Sequence, residues 1–191
     1  MVRGLAVIGC ASLAACQTFS QDGGMSVTAD IAGKTLDKDV VAIRSEEDEA
    51  AALAKVERLL KRALTADSAV QIALLNNRGL QATYNELGIA EAIRVQQSLP
   101  PNPHFSVTRI TGSVETEIER QIVASILALA TLPVRSEFAT ERFRQAQLAA
   151  ALATLRVAAE ARRAFYRAVA AQETVGLFAQ ANEAAETMTQ L

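Results

Sequence analysis

The chain has 191 residues, 50% hydrophobic and 21% charged, with a net charge of −2; it is neither a disordered polyelectrolyte nor a basic nucleic-acid binder, and no nucleic-acid partner is expected. Aromatic residues make up 4%, tryptophan is absent and alanine is abundant, so long helices packed closely through small residues fit better than a thick core of large side chains. A single histidine, and two cysteines that both fall by position 16, exclude a metal cluster or disulfide framework in the body of the protein, and no cofactor is expected.

Residues 1–15 read as a secretory signal, with Arg3 as its positive region and Leu5 to Ala15 as a short apolar run below the length of a membrane span. Leu13-Ala14-Ala15-Cys16 has the form of a bacterial lipobox, in which the Cys16 sulfur takes a diacylglyceryl group and becomes the mature N-terminus. Val7-Ile8-Gly9-Cys10 is a weaker match, because cleavage there leaves almost no apolar region. Gln17 follows the cysteine where an aspartate would suggest inner-membrane retention, so the outer membrane is the expected destination. An ordinary signal peptide with incidental cysteines is the alternative.

Residues 16–44 carry glycines, short polar residues and no periodicity, which predicts an extended tether. A surface helix is expected over 45–64. Ser45 and Asp48 resemble a capping box, the acids 46–49 suit the positive helix end, and Leu53, Val56, Leu59 and Leu60 form its apolar face. The next helix is predicted over 66–98, capped by Thr65 or Asp67. Leu80, Tyr84 and Leu87 form one seam, Ile89 and Ile93 a neighbouring one, and Gly79 and Gly88 permit close approach.

Pro100, Pro101 and Pro103 stop that helix, and two extended segments follow, over about 104–111 and 114–126, with a reversal at Gly112-Ser113. In the first, Phe105 and Val107 alternate with Ser106 and Thr108. In the second, Val114, Thr116, Ile118 and Ile122 alternate with Glu115, Glu117, Glu119 and Gln121, the period of two of a strand with one apolar and one wet face. The 58 residues after Pro133 lack proline and predict one helix over 134–191, about 87 Å long at 1.5 Å per residue. A compact domain of this chain length is only about 40 Å across, so such a helix must lie against other long helices. A hairpin broken at Gly176 is the alternative. Leu148, Leu152, Leu155, Ala159, Tyr166 and Val169 follow an imperfect heptad and are the expected packing seam. The helix pattern reaches Leu191 without a glycine or proline stop, which predicts a truncated chain.

Residues 65–191 resemble the first repeat of the TolC-like outer membrane efflux proteins. The resemblance rests on Ala69-Val70-Gln71-Ile72-Ala73-Leu74, Asn76-Asn77 and Leu80-Gln81-Ala82, and on the break Leu99-Pro100-Pro101-Asn102-Pro103. Glu117-Ile118-Glu119-Arg120 and Leu132-Pro133-Val134-Arg135-Ser136 look most like members grouped with heavy-metal efflux systems. The resemblance implies a mainly α chain with a β-hairpin: long antiparallel helices of an α-barrel tunnel, and two strands given to a trimeric transmembrane β-barrel. It further implies a homotrimer that works with a periplasmic adaptor and an inner-membrane pump. Two departures stand out. Arg78-Gly79 occupies the place where the family has a proline after the paired asparagines, and only one of two repeats is present.

In such a barrel, solvation places Glu115, Glu117 and Glu119 in the aqueous lumen and Phe105, Val107, Val114, Thr116, Ile118 and Ile122 against lipid. Val114 to Ala124 has the 9 to 11 residues that a tilted spanning strand needs. Arg120 points at lipid by strict alternation and requires an interfacial position or a bulge. A half-buried hairpin of a soluble protein is the alternative. The expected function is a passive exit duct; a structural lipoprotein with paired helices and no pore is the second reading. No catalytic constellation is visible, and His104 reads as a turn or interfacial residue rather than a ligand.

Overall fold

The computed structural model describes residues 19–111 and 116–189. It is mainly helical, with one small antiparallel sheet of two strands. The elements are α1 (Ser26–Leu36), α2 (Glu46–Leu60), α3 (Ala66–Asn76), α4 (Arg78–Ser98), β1 (His104–Thr111), β2 (Thr116–Val123), α5 (Ile126–Ala130) and α6 (Leu132–Thr189). Two compact units divide it: Met1–Gly24 with Gly88–Ala146, and Met25–Leu87 with Gln147–Leu191.

In the second unit the expected tether does not hold. Residues 26–36 form α1, whose Thr28 and Ala32 are buried four residues apart. The stretch from 37 to 44 is then strapped down by two glutamines. Asp39 donates its N–H to Gln71 Oε1 (3.1 Å) and accepts from Gln71 Nε2 (2.9 Å); Ile43 donates to Gln81 Oε1 (2.9 Å), and Val41 accepts from Gln81 Nε2 (2.9 Å). An extended strap whose backbone is satisfied by side chains of another element has no apolar period of its own.

The capping box at Ser45 forms, with Ser45 Oγ accepting from the Asp48 N–H (3.1 Å) and Asp48 Oδ2 accepting from the Ser45 N–H (3.1 Å). α2 packs on α3 through Ala52 and Val56, and not through Leu53 and Leu60, which are exposed. Thr65 caps α3 in a second box with Ser68.

The single helix expected over 66–98 is interrupted. Asn77 adopts extended backbone (φ −79°, ψ 108°), ending α3, and its Oδ1 accepts from the Leu80 N–H (2.9 Å) at the start of α4. An asparagine side chain thus makes the break without a proline. A Cβ on Gly79 would lie 3.2 Å from that Oδ1, whereas one on Gly88 would meet nothing within 4 Å; the close approach expected at Gly88 is absent.

The core of this unit holds Val70, Leu74, Leu80, Tyr84 and Leu87, together with Ala150, Ala151, Thr154 and Ala158 of α6. Tyr84 Oη and Thr154 Oγ1 share a buried hydrogen bond of 2.8 Å, and Arg162 pairs with Asp67 at 3.0 Å, so α6 runs antiparallel to α3 and α4 here. α6 passes Gly176 without a break and continues to Thr189. Every residue from 166 to 189 is exposed.

In the first unit Glu91, 2% exposed, accepts from the Ser20 N–H (2.6 Å) and lies 3.5 Å from Arg94. The Arg94 guanidinium sits 5.2 Å from the centre of the Phe143 ring, and the hydroxyls of Ser98 and Ser136 bond at 3.0 Å. Val95 and Ala139 are buried beside them. β1 and β2 pair antiparallel without a bulge, from His104↔Val123 to Thr111↔Thr116. β2 stops at Val123, short of the expected 126, because Ser125 turns the chain and accepts from the Ala128 N–H (3.3 Å) as the cap of α5.

Candidate functional site

The hairpin has no core of its own, and its chemistry lies in its two faces. Directly opposed residues of an antiparallel pair share a face. Phe105↔Ile122, Val107↔Arg120 and Arg109↔Ile118 therefore lie on one side; Ser106↔Gln121, Thr108↔Glu119 and Ile110↔Glu117 lie on the other. Phe105 (61% exposed), Val107, Ile118 and Ile122 (73% exposed) make the first face an uncovered apolar surface. Ile126 and Leu127 of α5, both exposed, carry apolar surface on past the last strand pair. Each strand has one edge paired to the other and one edge open among the described residues.

The bulge considered for Arg120 does not occur. The unbroken register keeps it on the apolar face, at the fourth of eight pairs. Arg109 lies on the same face two pairs further along, diagonal to it. Sequence reasoning missed Arg109, although it is in phase with Phe105 and Val107. Glu117 and Glu119 share the other face, while Val114, Glu115, Cys16 and the turn at Gly112-Ser113 lie outside the described residues, as does the Thr116 side chain.

The expected helix seam is not the one that packs. Leu148, Leu152, Ala159, Tyr166 and Val169 are exposed and Leu155 is half-buried. The face of α6 turned to α3 and α4 is instead the stripe Ala150, Ala151, Thr154 and Ala158. Small side chains let helix backbones approach closely, so the stripe with least apolar bulk is the one in contact. The heptad pattern identified a real stripe of large residues, but that stripe is open.

Ile89 and Ile93 are likewise exposed, and only Leu80, Tyr84 and Leu87 of the expected α4 seams are buried. Burial raises the Tyr84 hydroxyl above its ordinary pKa, while the Arg44 backbone N–H, followed by the Ser45 hydroxyl, lowers that of Asp48. Among the described residues no group of three or more His, Cys, Asp or Glu side chains is placed to hold a metal, and no helix is long and apolar enough to cross a membrane. Compared with known proteins, the chain matches no family model, no curated protein and no solved structure.

Proposed function

We propose that the chain is the outer-membrane channel component of a tripartite efflux system. In this reading it is a lipid-anchored homotrimer: β1 and β2 join a shared transmembrane β-barrel, and the long helices build a tunnel into the periplasm. Small molecules or metal ions leave through it passively, driven by an inner-membrane pump and delivered by a periplasmic adaptor.

The observation that carries the reading is the two-faced hairpin with open edges. A lone two-stranded ribbon is marginally stable in water, and unpaired edges invite further strands. In hydrocarbon every backbone group must be bonded, so strands persist there only in a closed barrel. One chain supplies two described strands; copies supply more. Arg109 and Arg120 weigh against burial at the midplane, where each costs about 2 to 4 kcal/mol, falling to about 0 to 1 near an interface. Their long stems let the guanidinium groups reach the headgroup level.

Single cysteines placed from Glu117 to Ile122 in the full chain in outer membranes test the reading. A water-soluble thiol reagent should modify positions 117, 119 and 121 and spare 118 and 122. Uniform labelling, or the opposite phase, refutes the barrel orientation. A bilayer current separates the duct from a poreless structural lipoprotein, the reading favoured by the open leucine stripe of α6.

A further inference from the structure

Along its apolar face the hairpin changes character from one end to the other. The first pair of this face, Phe105↔Ile122, is wholly apolar; Val107↔Arg120 and Arg109↔Ile118 each set one cation beside one apolar side chain, and Thr111 ends the face at the last pair. Phe105, Val107, Ile118 and Ile122 are mostly uncovered, and Arg109 and Arg120 are exposed. Both cations therefore lie beyond the apolar pair, towards the end at Thr111.

Nothing on the hairpin neutralises them. Arg109 and Arg120 enter no ion pair among the described residues, and Glu117 and Glu119 belong to the opposite face. As diagonal neighbours of an antiparallel pair the two arginines are about 7 to 8 Å apart at the backbone. Their long stems can bring both guanidinium groups to one anion. In apolar surroundings two like charges this close repel strongly, and an anion held between them turns that repulsion into attraction. A guanidinium has donors only, in a planar fork that matches two oxygens of one phosphate.

The spacing suits an amphiphile. Arg109 follows Phe105 by four positions on β1, about 14 Å along a strand, or about 10 Å across a bilayer at a tilt of about 40°. Half of a bilayer's hydrocarbon is about 15 Å deep. A phosphate between the guanidinium groups thus leaves an acyl chain to run over Val107, Phe105 and Ile122.

We infer that this face binds a phosphate-headed lipid, with Arg109 and Arg120 clamping the phosphate and Phe105, Val107 and Ile122 as the bed of an acyl chain. A lipid is the occupant because the face offers cations and hydrocarbon in sequence along one line. A soluble anion would use only the cations, and an apolar protein surface only the hydrocarbon. The site rests on the proposed channel for placing the hairpin in a membrane, but not for which residues hold the headgroup.

The test is lipid retention by the full chain extracted in a maltoside detergent, counted by native mass spectrometry. Phosphatidic acid should bind, and diacylglycerol with the same acyl chains, which lacks only the phosphate, should bind about tenfold or more weakly. R109Q with R120Q should remove that preference. R109K with R120K should keep part of it, because an ammonium retains the charge and loses the fork. R58Q with R62Q on α2, which also deletes two exposed cations, should leave it intact, and inorganic phosphate at the lipid's concentration should not compete. Far-UV circular dichroism shows whether the glutamine pair has folded; where it has not, the lysine pair decides by its partial loss. Equal retention of the two lipids by the wild-type chain, a preference indifferent to both arginines, an equal loss from the α2 pair, or displacement by inorganic phosphate overturns the site and leaves the channel reading standing. That reading is judged by the cysteine labelling along β2, which the lipid assay does not touch.

Discussion

Which stripe of α6 holds the chain together can be decided by two substitutions two residues apart. Ala150 is 0% exposed, with Ala151, Thr154 and Ala158 buried around it. Ala150→Leu forces three extra carbons into a contact made close by small side chains, and such overpacking costs about 1 to 3 kcal/mol. Leu152 is 58% exposed. Full burial of a leucine is worth about 1.5 to 3 kcal/mol, so truncating one that is mostly uncovered removes under about 1 kcal/mol, part of which alanine regains as the better helix former. With a urea slope of about 2 kcal/mol/M, Ala150→Leu should lower the unfolding midpoint by roughly 0.5 to 1.5 M, and Leu152→Ala by less than about 0.5 M. The measurement belongs on dissociated protein, because an assembly that covers the open stripe would raise the cost at Leu152. Equal loss from both substitutions, or a larger loss at Leu152 in dissociated protein, would refute the assignment and return the packing role to the leucine heptad.

Two further outcomes follow from the buried hydroxyl pair and the α2 cap. Tyr84→Phe removes one hydrogen bond but leaves Thr154 Oγ1 bonded to the Ala150 carbonyl at 2.9 Å, so the loss should be about 0.5 to 1.5 kcal/mol by denaturant titration. Because burial raises the Tyr84 pKa in the folded chain, that residue contributes stability fully present below the unfolded tyrosine pKa and lost as pH rises through the folded one; Tyr84→Phe should flatten this alkaline loss. Asp48 behaves in the opposite sense: its lowered pKa contributes stability present above the unfolded carboxylate pKa and lost as pH falls through the folded value. Asp48→Asn should reduce the acid-side slope of α2 stability, followed by hydrogen exchange in the first turn.

What was legible in the residues was whatever depended on local pattern. The hairpin follows from alternation, β1 over His104–Thr111, and the two helix starts from Ser45 with Asp48 and from Thr65. The long α6 follows from its composition, in which Gly176 is too small a penalty to stop a helix. What was illegible depended on partners distant in sequence. Gln71 and Gln81 look like ordinary helix-surface residues, yet they bind the backbone of a segment more than thirty positions earlier. Asn77 breaks a helix by a side-chain bond to Leu80; asparagine caps helices readily, but the helical pattern continuing on both sides of it hides the break. On α6, periodicity reveals that stripes exist but not which one is occupied, and here the inner face is the stripe of least bulk.

The open surfaces bear on the proposed assembly because each asks for a different complement. The unpaired strand edges need strands, since backbone groups in hydrocarbon cannot go without bonds. The apolar hairpin face, with Phe105 and Ile122 mostly uncovered, needs lipid or an apolar protein surface. The outer stripe of α6 and the exposed turns from 166 to 189, with Leu152, Leu177 and Phe178 open, offer apolar surface to further helices. In the proposed ring of copies in a bilayer, neighbours would extend the strands and bring helices to the outer stripe of α6, lipid would cover Phe105 and Ile122, and water would solvate Glu117 and Glu119.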